Sequence, residues 1–136
     1  MNTDSLIASL KHHEGKRLRP YKDSVGKTTI GYGHNLEANG IPDWVAEALL
    51  QTAIYRCAFD ATRVVPSFHR LTDTRQEVLV EMVFNLGAAG LAGFVKTLGY
   101  IEGCKWKEAS AEMLDSKWAT QVGSRAKSLS RKFARG

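Results

Sequence analysis

The chain has 136 residues, 43% hydrophobic and 24% charged, with a formal net charge of +5 and no low-complexity run or internal repeat. That length buries a core without metals or disulfides, and the composition excludes a disordered chain. The positive charge favours an anionic partner: nucleic acid, an anionic membrane surface or an anionic polysaccharide. Every long apolar stretch meets a charge before the ~20 residues a bilayer span needs, so no stable membrane insertion is expected. The start, MNTDSLIASLKHH, lacks the basic, apolar and small-residue segments of a signal peptide.

In chain order, Leu6, Ile7 and Leu10 share a face at helical spacing, with Thr3 or Asp4 as N-cap. They predict a helix over 4–14 that ends at Glu14. From Arg17 to His34 the pattern changes to short extended pieces, RLRPYKD and KTTIGYGH, separated by the turn-prone DSVGK. This predicts an antiparallel hairpin or a three-stranded sheet. After a loop, LEANGIPD, Pro42 suits the first turn of a long helix whose stripe is Leu50, Ile54, Cys57, Ala58, Ala61 and Val65, running until Pro66. Thr74 and Glu77 have capping-box spacing before VLVEMVFNLG, and Gly87 is a natural stop. Further helical patterns cover about 91–101, 104–115 and 123–134. The expected fold class is therefore α+β: one domain, 1–136, with a small α+β lobe over about 1–45, a connecting helix over about 43–65 and an all-helical lobe over about 66–136. A cleft between lobes is the default place for a site.

Cys57 and Cys104 lack CxxC spacing and fall in apolar helical patterns, so buried free thiols are expected. Trp44, Trp106 and Trp118 also fall in helical patterns and read as packing residues. Phe84 reads equally as core or as the lining of a site. Arg125, Lys127, Arg131, Lys132 and Arg135 form a basic C-terminal segment that reads as a solvated helix face. No DNA-binding motif accompanies it, and its cations lack interleaved aromatics, so nucleic acid is not an expected partner.

Two carboxyls stand nine positions apart, Glu14 and Asp23. Glycosidic hydrolysis needs one protonated carboxyl for the leaving oxygen and a second carboxylate that stabilises positive charge or activates water. A helix end that packs Glu14 and a polar turn that offers N–H groups to Asp23 would set the two apart as acid and partner. Thr29, on the returning strand, carries a hydroxyl able to hold water beside Asp23. A Glu and an Asp at this spacing alone are equally a helix-end glutamate and a turn aspartate. His12, His13 and His34 do not make a metal site with Glu14, because adjacent helical histidines diverge and no HExxH is present. Nor does a G-x-S-x-G elbow mark a serine nucleophile. His34 reads as a hydrogen-bonded structural histidine.

Taken whole, HHEGKRLRPYKDSVGKTTIGYGHNL resembles the signature of the phage-type lysozymes, the endolysins related to the lysozyme of the T-even bacteriophages. The matching positions are Glu14, Gly15, Tyr21, Asp23, Gly26, Thr29, Gly31, Gly33 and His34. EMVFNLGAAGLAGFVKTL is similar to that family's central helix and following turn, and KWKEASAEMLDSKWATQVGSRAKSLSRKF to its C-terminal helices. The resemblance implies a lysozyme-like fold and a muramidase that cuts the β-1,4 bond between N-acetylmuramic acid and N-acetylglucosamine in bacterial peptidoglycan, causing host lysis. It implies Glu14 as general acid, Asp23 as carboxylate partner and Thr29 as the third member, with substrate contacts at Asn35, Phe84, Thr97 and Glu112. Inversion at the anomeric carbon, no cofactor, no metal and a monomer are the further expectations. So is accumulation in the host cytoplasm until a separate permeabilising protein lets the enzyme reach periplasmic peptidoglycan. A lytic transglycosylase and a nonenzymatic wall-binding module are the alternatives.

Overall fold

The computed structural model describes residues 1–136. The chain divides into two compact units, Met1–Ala48 and Leu49–Gly136.

The first unit opens with α1, Thr3–Glu14. Its cap is Asn2, one residue before the expected pair, because the Asn2 side chain reaches the free Ser5 N–H at 2.9 Å. Three strands follow in the order β1 (Arg17–Lys22), β2 (Thr28–Gly31), β3 (His34–Asn35), all antiparallel. Pro20 has no N–H for a ladder, and the β1–β2 register is irregular between Arg17 and Tyr21 before regular pairing resumes at Tyr21↔Thr29 and Lys22↔Thr28. The extended pieces therefore form a three-stranded sheet. The expected loop after it instead begins with a one-turn helix, α2 (Leu36–Asn39), whose N-cap Asn35 accepts from Ala38 N at 3.0 Å.

The long helix α3 (Asp43–Val64) starts just after Pro42, whose carbonyl accepts from Val45 and Ala46 N–H, and ends before Pro66. The two units divide inside it. Only the C-terminal end of its expected stripe is buried: Ala61 and Val65 are fully covered, whereas Leu50 and Ile54 are exposed. Trp44 is also 72% exposed, so it is not the packing residue its spacing suggested.

The second unit is helical. A 3-10 turn (Phe68–Arg70) leads to α4 (Asp73–Ala92), followed by α5 (Val95–Glu102), α6 (Trp106–Leu114), α7 (Lys117–Val122) and α8 (Ser124–Arg135). The α4 cap is Thr72, whose hydroxyl accepts from Arg75 N, so the helix starts two residues before the capping-box pattern at Thr74. Gly87 does interrupt it: φ is 74° and ψ 169°, a conformation costly for any residue with a Cβ, and helical geometry resumes on the far side. α4 and α5 meet at a bend of 97°, and no single helix is long and apolar enough to cross a membrane.

The hydrophobic core lies in this unit, built from Val78, Leu79, Met82 and Val83 of α4, Ile101 of α5, Met113 of α6, Trp118 of α7 and Leu129 and Phe133 of α8. Arg75 closes the α8 end. Its guanidinium stands 4.1 Å from the Trp106 ring centroid, and its Nε donates to Phe133 O at 3.1 Å. A cation on an aromatic face that also satisfies a helix-end carbonyl does two stabilising jobs with one side chain. The basic face of α8 is partly neutralised rather than free: Lys132 pairs with Glu77 at 2.6 Å and Arg125 with Glu81 at 3.2 Å. Hydrogen bonding to Glu77 holds the Lys132 ammonium above its ordinary range.

Both cysteines are free thiols. Cys57 is half-buried, but Cys104 is exposed, in the turn before α6 with φ at 56°. Gly103 and Cys104 end the helical run there, and the apolar pattern that suggested burial does not continue through them.

Candidate active site

Glu14 is the last residue of α1, and the turn at Gly15 delivers the chain into β1. Its side chain is exposed, not packed as a helix-end position suggested. The carboxyl nonetheless has a fixed neighbour. At Gly33, in the turn between β2 and β3, a Cβ would stand 2.8 Å from Glu14 Oε2 and 3.2 Å from Cδ. Glycine leaves that space without displacing the carboxyl, and φ at 73° also suits glycine. The glutamate is thereby set against the β2–β3 turn.

Asp23 heads the other turn, between β1 and β2. Its Oδ1 accepts from Val25 N at 3.0 Å and Lys27 N at 2.8 Å, its own N–H donates to Lys27 O at 2.9 Å, and Gly26 N donates to its carbonyl at 3.0 Å. The carboxylate is therefore fixed by the backbone of its own turn, the Asx geometry its residue type favours. Thr29 follows on β2 and is 3% exposed, the one buried residue of the first unit. Its hydroxyl donates to Lys27 O at 3.0 Å, so its oxygen is left as an acceptor. Asn35 is the register partner of Thr29 on β3, with its side chain engaged as the α2 cap. Next to it, His34 Nε2 is 2.5 Å from Gly40 O, the structural role expected of that histidine. His12 and His13 stand with ring planes 82° apart.

Sequence reasoning missed Glu37. It lies on α2 and its Oε1 accepts from Thr28 N at 2.9 Å, Thr28 Oγ1 at 2.9 Å and Lys22 Nζ at 3.2 Å; Lys27 Nζ is 3.9 Å from Oε2. The backbone N–H of Thr28, then its hydroxyl, then Lys22 hold this carboxyl below its ordinary value near 4.5. A carboxyl so lowered adds stability above the unfolded-state value and loses it as pH falls through the lower folded value. A carbon-detected NMR titration is expected to place the Glu37 midpoint below 4.5. A midpoint at or above that value would contradict the contacts.

The remaining predicted residues belong to the second unit. Phe84, on α4, is 51% exposed and so is not core. Thr97, on α5, is 2% exposed, and Glu112, on α6, is half-buried. These two line one cavity of about 560 Å³, together with Phe94, Lys96, Lys117 and Trp118. Phe84 is not part of its wall. Trp118 packs as expected, edge-on to Phe94 at 6.2 Å, yet its indole N–H is buried without a partner. Leaving such a donor unpaired costs roughly 1–3 kcal/mol. Nothing in the local sequence around Trp118 signals this.

Residues 11–135 match the phage lysozyme family. Among similar proteins, "Probable T4-type lysozyme 2" of Dictyostelium discoideum is 28% identical, over 97% of this chain and 95% of its own length. The endolysin of Salmonella phage P22 is 31% identical over 64% of each chain. The pre-baseplate central spike protein Gp5 of Enterobacteria phage T4 is 27% identical over 90% of this chain but only 26% of its own length. A match that spans nearly the whole chain leaves one conclusion: the chain belongs to the phage lysozyme family and is a glycosidase.

Proposed function

We propose that the chain is an endolysin muramidase that hydrolyses the β-1,4 bond between N-acetylmuramic acid and N-acetylglucosamine of bacterial peptidoglycan, for lysis of the host cell. The observation that carries this reading is the single hairpin system on which one carboxyl, Glu14, lies against the β2–β3 turn while a second, Asp23, is fixed in the β1–β2 turn beside Thr29.

Glu14 donates its proton to the glycosidic oxygen as the bond to the anomeric carbon breaks. A water forms the new bond to that carbon. Thr29 Oγ1, its own proton committed to Lys27 O, accepts one hydrogen of that water, and Asp23 receives the other as a proton. Asp23 suits this because both of its backbone donors reach Oδ1, which leaves Oδ2 for the water. Proton gain at Asp23 balances proton loss at Glu14, and no metal or cofactor enters. Asn35, Phe84, Thr97 and Glu112 contact the glycan, a reading supported by their positions in the family resemblance and, for Thr97 and Glu112, by their shared cavity. Attack by water on the face opposite the leaving group inverts the anomeric centre. The enzyme accumulates in the host cytoplasm and acts on peptidoglycan once the inner membrane is permeabilised.

Proton NMR of the first products tests this directly: the α-anomer is expected to form first. A β-anomer formed first would exclude the direct displacement by water.

A further inference from the structure

We propose that Glu37 is a positioning residue for Asp23 and Thr29, holding the β1–β2 turn in place through Thr28 and Lys22. This rests on the reading of Asp23 and Thr29 as catalytic. Lys22 and Thr28 face each other in the ladder, and each immediately precedes one of those two residues. On the β3 side the backbone ladder stops at Thr29↔Asn35, because the next residue of the chain, Leu36, has already entered α2. The Thr28 N–H would be left without a strand partner there. Glu37 Oε1 takes it at 2.9 Å, together with the Thr28 hydroxyl at 2.9 Å and the Lys22 ammonium at 3.2 Å, and Lys22 Nζ also donates to Thr28 Oγ1 at 2.7 Å. One carboxylate thus extends the sheet past the end of β3 and closes the strand ends on both sides of the turn.

The coupling to the candidate catalytic groups is short and covalently continuous. Thr28 is bonded to Lys27, whose N–H holds Asp23 Oδ1 at 2.8 Å and whose carbonyl holds the Thr29 hydroxyl at 3.0 Å. Successive side chains on a strand point to opposite faces, so Glu37 acts from the face opposite Thr29 and need not touch substrate. Its contacts are charge-assisted and therefore stronger than neutral ones. Releasing them lets the turn shift, and displacements near 1 Å can cost a reaction up to ~10²-fold.

The test compares the 136-residue chain with Glu37→Ala, Glu37→Gln and Asp23→Asn, using initial rates on purified peptidoglycan and circular dichroism melting. Glu37→Ala is expected to lower the apparent kcat ~10-fold with KM within about twofold. Glutamine keeps an oxygen for the Thr28 N–H and hydroxyl, so Glu37→Gln is expected to restore the rate to within about threefold of the parent. An alanine variant with full kcat would overturn the positioning role, and so would a glutamine variant as slow as the alanine one when both melt normally. If Asp23→Asn is inactive while Glu37→Ala is fully active, only the positioning role falls. If Asp23→Asn is fully active, the catalytic reading beneath it falls as well.

Discussion

Glu14→Gln is expected to lower turnover on peptidoglycan by at least ~10² to 10⁴-fold, the range attributable to general acid help, while leaving the melting transition unchanged. Glutamine preserves shape but has no transferable proton. Because Glu14 ends α1 on an exposed side chain, its replacement breaks no core contact, and a rate loss cannot be blamed on unfolding. Gly33→Ala supplies the companion test from the other side. The new Cβ would stand 2.8 Å from Oε2, at a φ that alanine adopts poorly, so Glu14 must move. That variant is expected to lose activity with Glu14 intact. Normal turnover by Glu14→Gln would remove Glu14 from the role proposed for it, whereas normal turnover by Gly33→Ala would mean that the exposed Glu14 side chain shifts without loss.

The largest stability effect is expected at Phe133. It is 0% exposed, the largest fully buried side chain of the second unit, and is stacked edge-on to Trp106 at 6.2 Å with the Arg75 guanidinium 5.8 Å from its ring. Phe133→Ala removes this packing and leaves a void that rigid helices α4, α6 and α8 cannot fully close, at a cost of about 3–5 kcal/mol. Against a typical total stability of about 5–15 kcal/mol, that is a large fraction. Urea unfolding followed by the fluorescence of Trp106 and Trp118 should show a much lower midpoint with a similar slope. Phe133→Leu, which retains most of the volume, should lose less. A midpoint within error of the parent for Phe133→Ala would mean that α8 does not anchor this core.

The turn that holds Asp23 and Thr29 was legible because its hydrogen bonds join neighbours in sequence. Asp23 is held by Val25 and Lys27 and Thr29 by Lys27, contacts within four residues that a turn of DSVGK already implies. Gly33 was legible as a position of the family signature, but its use in leaving room for the Glu14 carboxyl is a contact between α1 and a distant turn that no local pattern encodes. Glu37 was missed for the same reason: LEAN reads as loop, and its partner Thr28 is nine residues away. Cap positions slipped by one or two residues because Asn2 competes with Thr3 and Asp4, and Thr72 with Thr74, on nearly equal chemical terms. Periodicity misjudged Trp44 and Cys104 because a helical pattern says which residues share a face, not whether another element covers it. The cavity at Thr97 and Glu112 and the unpaired Trp118 N–H arise only when α5, α6 and α7 pack, which a single sequence does not display.

The measurement that tests the central claim most directly is mass spectrometry of the glycan fragments released from purified peptidoglycan by the parent protein, with Glu14→Gln as control. Hydrolysis by Glu14 with Asp23 and Thr29 predicts fragments with reducing N-acetylmuramic acid ends from the parent and almost none from the variant. Fragments ending in 1,6-anhydro-N-acetylmuramic acid, formed when the sugar's own hydroxyl attacks in place of water, would contradict it.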